Sequence, residues 1–170
     1  MPEEFESEFA EGLRCCRTGR LVILGIGNEL RGDDAAGLVI IEKLRLRVKD
    51  SAVTILNCAD IPENFTGHVK RLAPACIVLV DAADFGGQPG DAHVFALHDT
   101  EKGDVSTHKA SLAVLGEYLR SETGASVFII GVQPDSTEFG SGLTQTVRKA
   151  SDSISEAMST VLNHYKTKGA

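Results

Sequence analysis

The segment from Leu21 to Gly37 constrains the fold most. An apolar run, Leu21-Val22-Ile23-Leu24, enters Gly25-Ile26-Gly27-Asn28-Glu29-Leu30-Arg31-Gly32-Asp33-Asp34, and a helical pattern begins near Ala35. A strand, a glycine-rich bend and a helix start, in that order, place a loop at the carboxyl edge of a sheet, where open α/β sheets bind ligands. Here the loop carries two adjacent carboxylates and no lysine. Its chemistry is therefore that of a cation or a proton, and phosphate binding is disfavoured.

Strand and helix patterns alternate along the rest of the chain. Leu21–Ile26 reads as the first strand, and Ala35, Leu38, Val39 and Ile41 form a helical stripe that continues to Leu44. Val53–Leu56 is a β-branched second strand. Asp60 is expected to cap a short helix with Pro62 in its first turn and Phe65, Val69 and Leu72 inside. Ala75–Val80 is apolar throughout, as a parallel strand buried on both faces must be. After the turn Gly86-Gly87-Gln88-Pro89-Gly90, the alternating Ala92–Leu97 reads as an edge strand. Ser106 or Thr107 is placed to cap a helix from Lys109 to Arg120, and Ser126–Val132 is another buried strand. The last helix is marked by Leu143, Val147, Ala150, Ile154, Met158, Val161 and Tyr165. The pattern defines a three-layer α/β domain around a mostly parallel sheet of about five strands.

With 170 residues the chain is long enough for one well-buried domain, assigned to 20–166. Residues 1–19 read as an acidic leader, frayed or weakly helical, in which Glu3, Glu4, Glu6, Glu8 and Glu11 outweigh Arg14 and Arg17. A formal charge of −7 without a Lys/Arg run argues against a nucleic-acid partner. No signal-peptide pattern and no run of transmembrane length is present, so a soluble, cytoplasmic protein without a membrane partner is expected. Cys15, Cys16, Cys58 and Cys76 lack zinc spacing, and Cys76, opening an apolar strand, is expected to be a buried free thiol.

Residues that follow the strands share one rim. It collects Asp33 and Asp34 after the first strand, Asp81 and Asp84 after the third, and Gln133 and Asp135 after the last. His108 precedes the helix that begins at Lys109. Two carboxylates and an imidazole from separate loops suit a divalent metal, or a carboxylate acting as base. The bland readings are an N-cap for Asp33, and equally for Asp34, a turn residue for Asp81 and a surface position for His108. His93 and His98, on or after the edge strand, lack carboxylates from the central strands and serve as decoys. Familiar templates fail: Leu30 breaks G-x-G-x-x-G, there is no Gly-Lys-Ser/Thr, Phe139-Gly140-Ser141-Gly142 is no nucleophile elbow, and H-E-x-x-H is absent.

From Arg20 to about Tyr165 the chain resembles the hydrogenase maturation endopeptidases, the C-terminal processing proteases of the nickel–iron hydrogenase large subunit. The resemblance is carried by Gly25-x-Gly27-Asn28-x-x-x-x-Asp33-Asp34-x-x-Gly37, Ile61-Pro62-Glu63-Asn64 and Val80-Asp81-Ala82-Ala83-Asp84. It extends through Thr107-His108, Gly131-Val132-Gln133-Pro134 and Gly142-Leu143-Thr144. It implies an α/β/α sandwich with a five-stranded twisted sheet and a cytosolic peptide-bond hydrolase of aspartyl type. Its nickel-contacting trio maps onto Asp34, Asp81 and His108, with Asp34 and Asp81 as the catalytic carboxylates. The nickel it implies is carried by the substrate precursor and contacted transiently, with no tightly held cofactor. Asn57-Cys58-Ala59 departs from the family's Asp-Gly-Gly after the second strand, and the acidic leader is longer than is usual.

Two other readings compete. A non-catalytic module binding nickel or the hydrogenase precursor would need the same rim. A nucleotide- or phosphate-binding enzyme would use the glycine bend, which the acidic pair opposes.

Overall fold

The computed structural model of the chain describes residues 2–14, 19–97 and 107–165. Five strands form one sheet: β1 (Leu21–Gly25), β2 (Val53–Asn57), β3 (Cys76–Ala82), β4 (Ala92–Ala96) and β5 (Ser126–Val132). Their order is β2-β1-β3-β5-β4. All neighbours run parallel except β4, which pairs antiparallel with β5 at the edge. The two strands expected to be apolar throughout, β1 and β3, lie in the middle and are buried along their whole length. The alternating segment is the edge strand, as its half-buried pattern requires.

Period-two alternation sends side chains into two separate cores. On one face Leu21, Ile23, Val78, Val80 and Ile130 pack under α1 (Pro2–Arg14), α2 (Ala36–Arg47) and α5 (Gln145–Tyr165). On the other, Val22, Leu24, Ile77, Leu79 and Ile129 meet α3 (Thr66–Leu72) and α4 (Thr107–Thr123). The result is the expected α/β/α sandwich. Its α5 carries Val147, Ala150, Ile154 and Met158 inward. Ser151, also buried, donates its hydroxyl to the Val147 carbonyl at 2.8 Å and so needs no partner across the interface. Among the described residues, no helix is long and apolar enough to cross a membrane.

The leader departs from expectation. Residues Pro2–Arg14, read as frayed or weakly helical, form α1 with Phe5, Phe9 and Leu13 on one buried stripe. Their spacing of four places them on one helix face, and Phe9 packs edge-on against Phe128 with ring centroids 6.2 Å apart. Each such side chain adds about 1.5–3 kcal/mol by burial, enough to hold a helix this short. Glu8 contributes differently: its carboxylate accepts the Val94 N–H at 3.1 Å and occupies a donor on the β4 edge. The acidic composition of the segment hid this stripe.

Cys76 also corrects the sequence reading. It is buried, but it is disulfide-bonded rather than free, and its partner lies outside the described residues. An apolar strand position accommodates a half-cystine as readily as a thiol, so burial did not discriminate. Cys58 is the free cysteine among the described residues, and burial pushes its thiol up to about 12 against the opposing charge of Arg45. It is an inert packing residue.

Candidate active site

Gly27 makes the site possible. It sits at φ +144°, and a Cβ there would lie 2.0 Å from the Asp34 backbone oxygen. The chain after β1 therefore passes directly beneath the 3-10 helix Gly32–Ala35 that carries Asp34. Gly37 allows the next close approach, since its Cβ would fall 2.3 Å from the Val80 carbonyl oxygen. The start of α2 is thereby seated on the ends of β1 and β3. Asn28 completes the brace. Its backbone N–H donates to Asp34 Oδ2 at 3.0 Å, its side-chain oxygen accepts the Leu30 N–H at 2.9 Å, and its amide donates to Asp60 Oδ2 at 3.1 Å.

Asp81 occupies the sixth position of β3 and follows Ile77 and Leu79 onto the α4 side of the sheet. It is only 3% exposed. One carboxylate oxygen accepts the Ala82 N–H at 2.8 Å. Among the described residues, neither the second oxygen of Asp81 nor Oδ1 of Asp34 has a donor. Burial, and then the charge of nearby Asp34, hold the Asp81 carboxyl well above the ordinary carboxylate range, only partly offset by the Ala82 N–H.

Both carboxylates line one cavity of about 230 Å³, together with Ile26, Gly27, Asp60, Pro62, Glu63, Ser111, Leu112 and Leu115. Helix α4 thus closes the site, and position 108 lies in its first turn, one turn before Ser111 and Leu112. The side chain of His108, like His98 as a whole, lies outside the described residues. Among the described residues, no three His, Cys, Asp or Glu side chains group as a metal site. What those residues provide is a pair of incompletely satisfied carboxylates, matched to a cation or a proton arriving with the substrate.

Other rim residues have structural work. Asp33 is fully buried and caps neither the 3-10 helix nor α2. Its carboxylate instead accepts the backbone N–H groups of Asp135, Ser136 and Thr144 at 2.9, 3.0 and 2.7 Å, and the Thr144 hydroxyl. Asp34 caps neither helix as well. Gln133 accepts the Phe85 and Gly87 N–H groups at 2.9 and 3.1 Å and donates to Asp84 at 3.1 Å. The Gln133 amide, and then the Gly86 N–H donating at 3.1 Å, hold the Asp84 carboxyl below its usual range, so Asp84 stays ionised and braces the β3–β4 turn. Asp135 is exposed. His93 lies against Phe85 and Phe95, with Glu8 at 3.5 Å, and does not line the cavity.

Asp60 was assigned a capping role that the structure does not show: the 3-10 helix Pro62–Phe65 has no side-chain cap, and Asp60 pairs with Asn28. It brings a carboxylate to the cavity three residues after Asn57, where the departure from Asp-Gly-Gly occurs. Asn57 itself turns the chain by accepting the Ala59 N–H at 3.0 Å. Ser111 was not singled out from sequence, and Glu63 entered only within the Ile61-Pro62-Glu63-Asn64 motif, with no role at the cavity. The three-residue step from His108 was the available signal for Ser111.

An α/β/α sandwich with paired carboxylates at its carboxyl edge is here the frame of a peptide-bond hydrolase, as comparison with known proteins establishes. A model of the HycI hydrogenase maturation proteases matches residues 38–163, and the chain belongs to this family. The matched stretch contains Asp81 and His108 and begins just after Asp34. The hydrogenase 3 maturation protease of Escherichia coli K12 is 31% identical over 134 residues, covering 78% of this chain and 85% of the relative. Among solved structures, the NiFe hydrogenase maturation protease HycI of Thermococcus kodakarensis superposes with a TM-score of 0.81 at 33% identity, over 91% of this chain and 98% of its own. The maturating endopeptidase HybD of E. coli gives 0.69 at 28% identity, covering 88% and 94%.

Proposed function

We propose that this protease is a cytoplasmic endopeptidase that removes the C-terminal tail of a nickel–iron hydrogenase large-subunit precursor after nickel insertion. In this reading Asp34, Asp81 and His108 contact the nickel that the substrate carries. The observation that carries it is the pairing of Asp34 with buried Asp81 across one cavity, each with an oxygen that accepts nothing among the described residues. Two such groups repel one another until a cation sits between them. A trio of two carboxylates and an imidazole leaves coordination positions open, which suits a metal already bound by its own protein and not a resident cofactor. The names of the relatives support the substrate class.

The chain's residues then divide the work. Asn28 fixes Asp34 from the backbone side, and His108, in the first turn of the helix whose Ser111 and Leu112 line the cavity, is the third contact of this reading. Asp34 or Asp81 is then the base for the attacking water, and the substrate's nickel polarises the neighbouring carbonyl.

The test compares nickel-loaded and nickel-free precursor under one protease and one buffer, with products resolved by mass. Loss of the tail only from the nickel-loaded form is the expected result. Equal cutting of both forms eliminates metal gating, and no mass loss from either leaves a non-catalytic assembly module.

A further inference from the structure

The catalytic cavity does not end at α4. Glu63, Ser111 and Leu115 line it on one side and on the other form part of a second hollow of about 590 Å³, completed by Thr66, Val114 and Tyr118. This volume falls within the roughly 300–1,000 Å³ of small-ligand sites. The hollow is a groove between α4 and the start of α3, and apart from Glu63 at the junction its described lining carries no charge. Val114 is 71% and Tyr118 42% exposed, an unusual outlay of apolar surface on one helix face. The Tyr118 ring is steadied from behind by Lys70, whose Nζ lies 5.8 Å from its centroid and pairs with Glu122 at 2.8 Å.

We infer that this groove is the binding site for the apolar part of the substrate's tail immediately beyond the scissile bond. The inference rests on the reading that the cavity cuts a C-terminal tail beside a substrate-borne metal. Upstream of the cut the substrate is anchored in its folded, metal-holding body, which cannot enter a channel between two helices. Downstream it is a free extended segment. Exposed apolar residues that line neither hollow, Leu30 and Phe139, form a separate rim on loops leading to α2 and α5, joined by the Gly140 N–H to the Leu30 carbonyl at 2.8 Å. That broader rim suits the folded body, leaving the groove for the tail. Val114 and Tyr118 are then specificity-determining residues that touch no reacting atom.

Val114→Glu puts a charge in the groove at an exposed position and leaves the fold intact, which a thermal melt verifies. On nickel-loaded precursor it is expected to raise KM at least tenfold with kcat within about twofold, and Tyr118→Ala to shift KM in the same direction. A precursor with the apolar residues after the cut replaced by serine is expected to show the raised KM with the wild-type protease and no further rise with Val114→Glu. Unchanged KM for both protease variants overturns the inference. A fluorescein-labelled synthetic tail peptide, followed by anisotropy without nickel, separates this result from the fate of the cleavage reading. Binding to wild type and Asp34→Asn but not to Val114→Glu upholds the groove even if no precursor is cut. Binding indifferent to Val114→Glu overturns it even if cutting proceeds.

Discussion

Asp33 and Thr144 are joined across the top of the molecule: the Thr144 backbone N–H donates to Asp33 Oδ1 at 2.7 Å and its hydroxyl to Oδ2 at 2.9 Å. Thr144 stands immediately before α5, and its hydroxyl also receives the Val147 N–H at 3.4 Å. One buried carboxylate thus ties the loop bearing Asp34 to the start of the last helix. The adjacent acids have opposite duties. Asp33 is satisfied from all sides and structural, whereas Asp34 is left open toward the cavity.

Replacing Asp33 by alanine strands three backbone N–H groups that now have an acceptor. The expected loss is about 3–5 kcal/mol, the scale for breaking a buried charged network. Urea denaturation measures the total, and amide exchange is expected to accelerate first at Asp135, Ser136 and Thr144. Asp33→Asn, which keeps the shape but turns one acceptor into a donor, is expected to cost less and to perturb the same amides.

Asp81 predicts the reverse sign. Its folded carboxyl holds a proton more tightly than its unfolded one because burial and Asp34 disfavour the charge. The folded state therefore binds more protons than the unfolded state between the ordinary Asp value and the raised one, and stability falls as pH rises through that window. Below the ordinary value both states are protonated and the penalty vanishes. Asp81→Asn removes a cost that accumulates above the ordinary Asp value and is complete above the raised one. It is expected to increase Tm near neutral pH, to lose that advantage on acidification below the ordinary Asp range, and to abolish processing. A variant equally stabilised at all pH values would contradict the assignment.

How much of this was legible in the sequence depended on whether a signal was local. The runs Leu21–Leu24 and Ala75–Val80 announced central strands because parallel strands buried on both faces leave no polar position. Asp34 and Asp81 were expected to meet because strand ends share a rim by topology alone, and they line one cavity. Asp33 was misread because its partners lie 102 to 111 residues away, beyond any local capping rule. The Phe5-Phe9-Leu13 stripe was overlooked among five glutamates, and the Cys76 disulfide could not be read from spacing. Asp60 escaped because its partner, Asn28, belongs to another loop.

Backbone strain gives a paired prediction with opposite outcomes. Ala59 follows β2 at φ +48°, and its carbonyl accepts the Gly27 N–H at 2.9 Å, so the two residues form one junction. A left-handed alanine costs about 1–2 kcal/mol, offset in part by the greater freedom glycine loses on folding. Ala59→Gly is expected to stabilise by about 0.5–1 kcal/mol. Gly27→Ala meets both a positive φ and the Asp34 backbone, and is expected to cost about 2–4 kcal/mol and to displace Asp34. Chemical denaturation of both variants reads the signs directly, and processing is expected to fail only for Gly27→Ala.

The site variants separate the cavity from its decoys. Asp34→Asn removes charge from a partly exposed carboxylate, and His108→Ala acts at the first turn of α4, so thermal transitions close to wild type are expected for both. Each is expected to lower the processing rate at least a hundredfold, the low end of what positioned acid–base or electrostatic groups contribute. His93 packs against Phe85 and Phe95, outside the cavity. His93→Ala is therefore expected to cut at the wild-type rate and to reveal its loss only as a small drop in stability. His98→Ala is the matching control from beyond the edge strand. The comparison is made on nickel-loaded precursor with mass detection and a melt for every variant, so that inactivity from unfolding is recognised. Retained processing in Asp34→Asn or His108→Ala, with an intact transition, would remove that residue from the trio. A loss in His93→Ala as deep as in Asp34→Asn would move the site to the β4 edge.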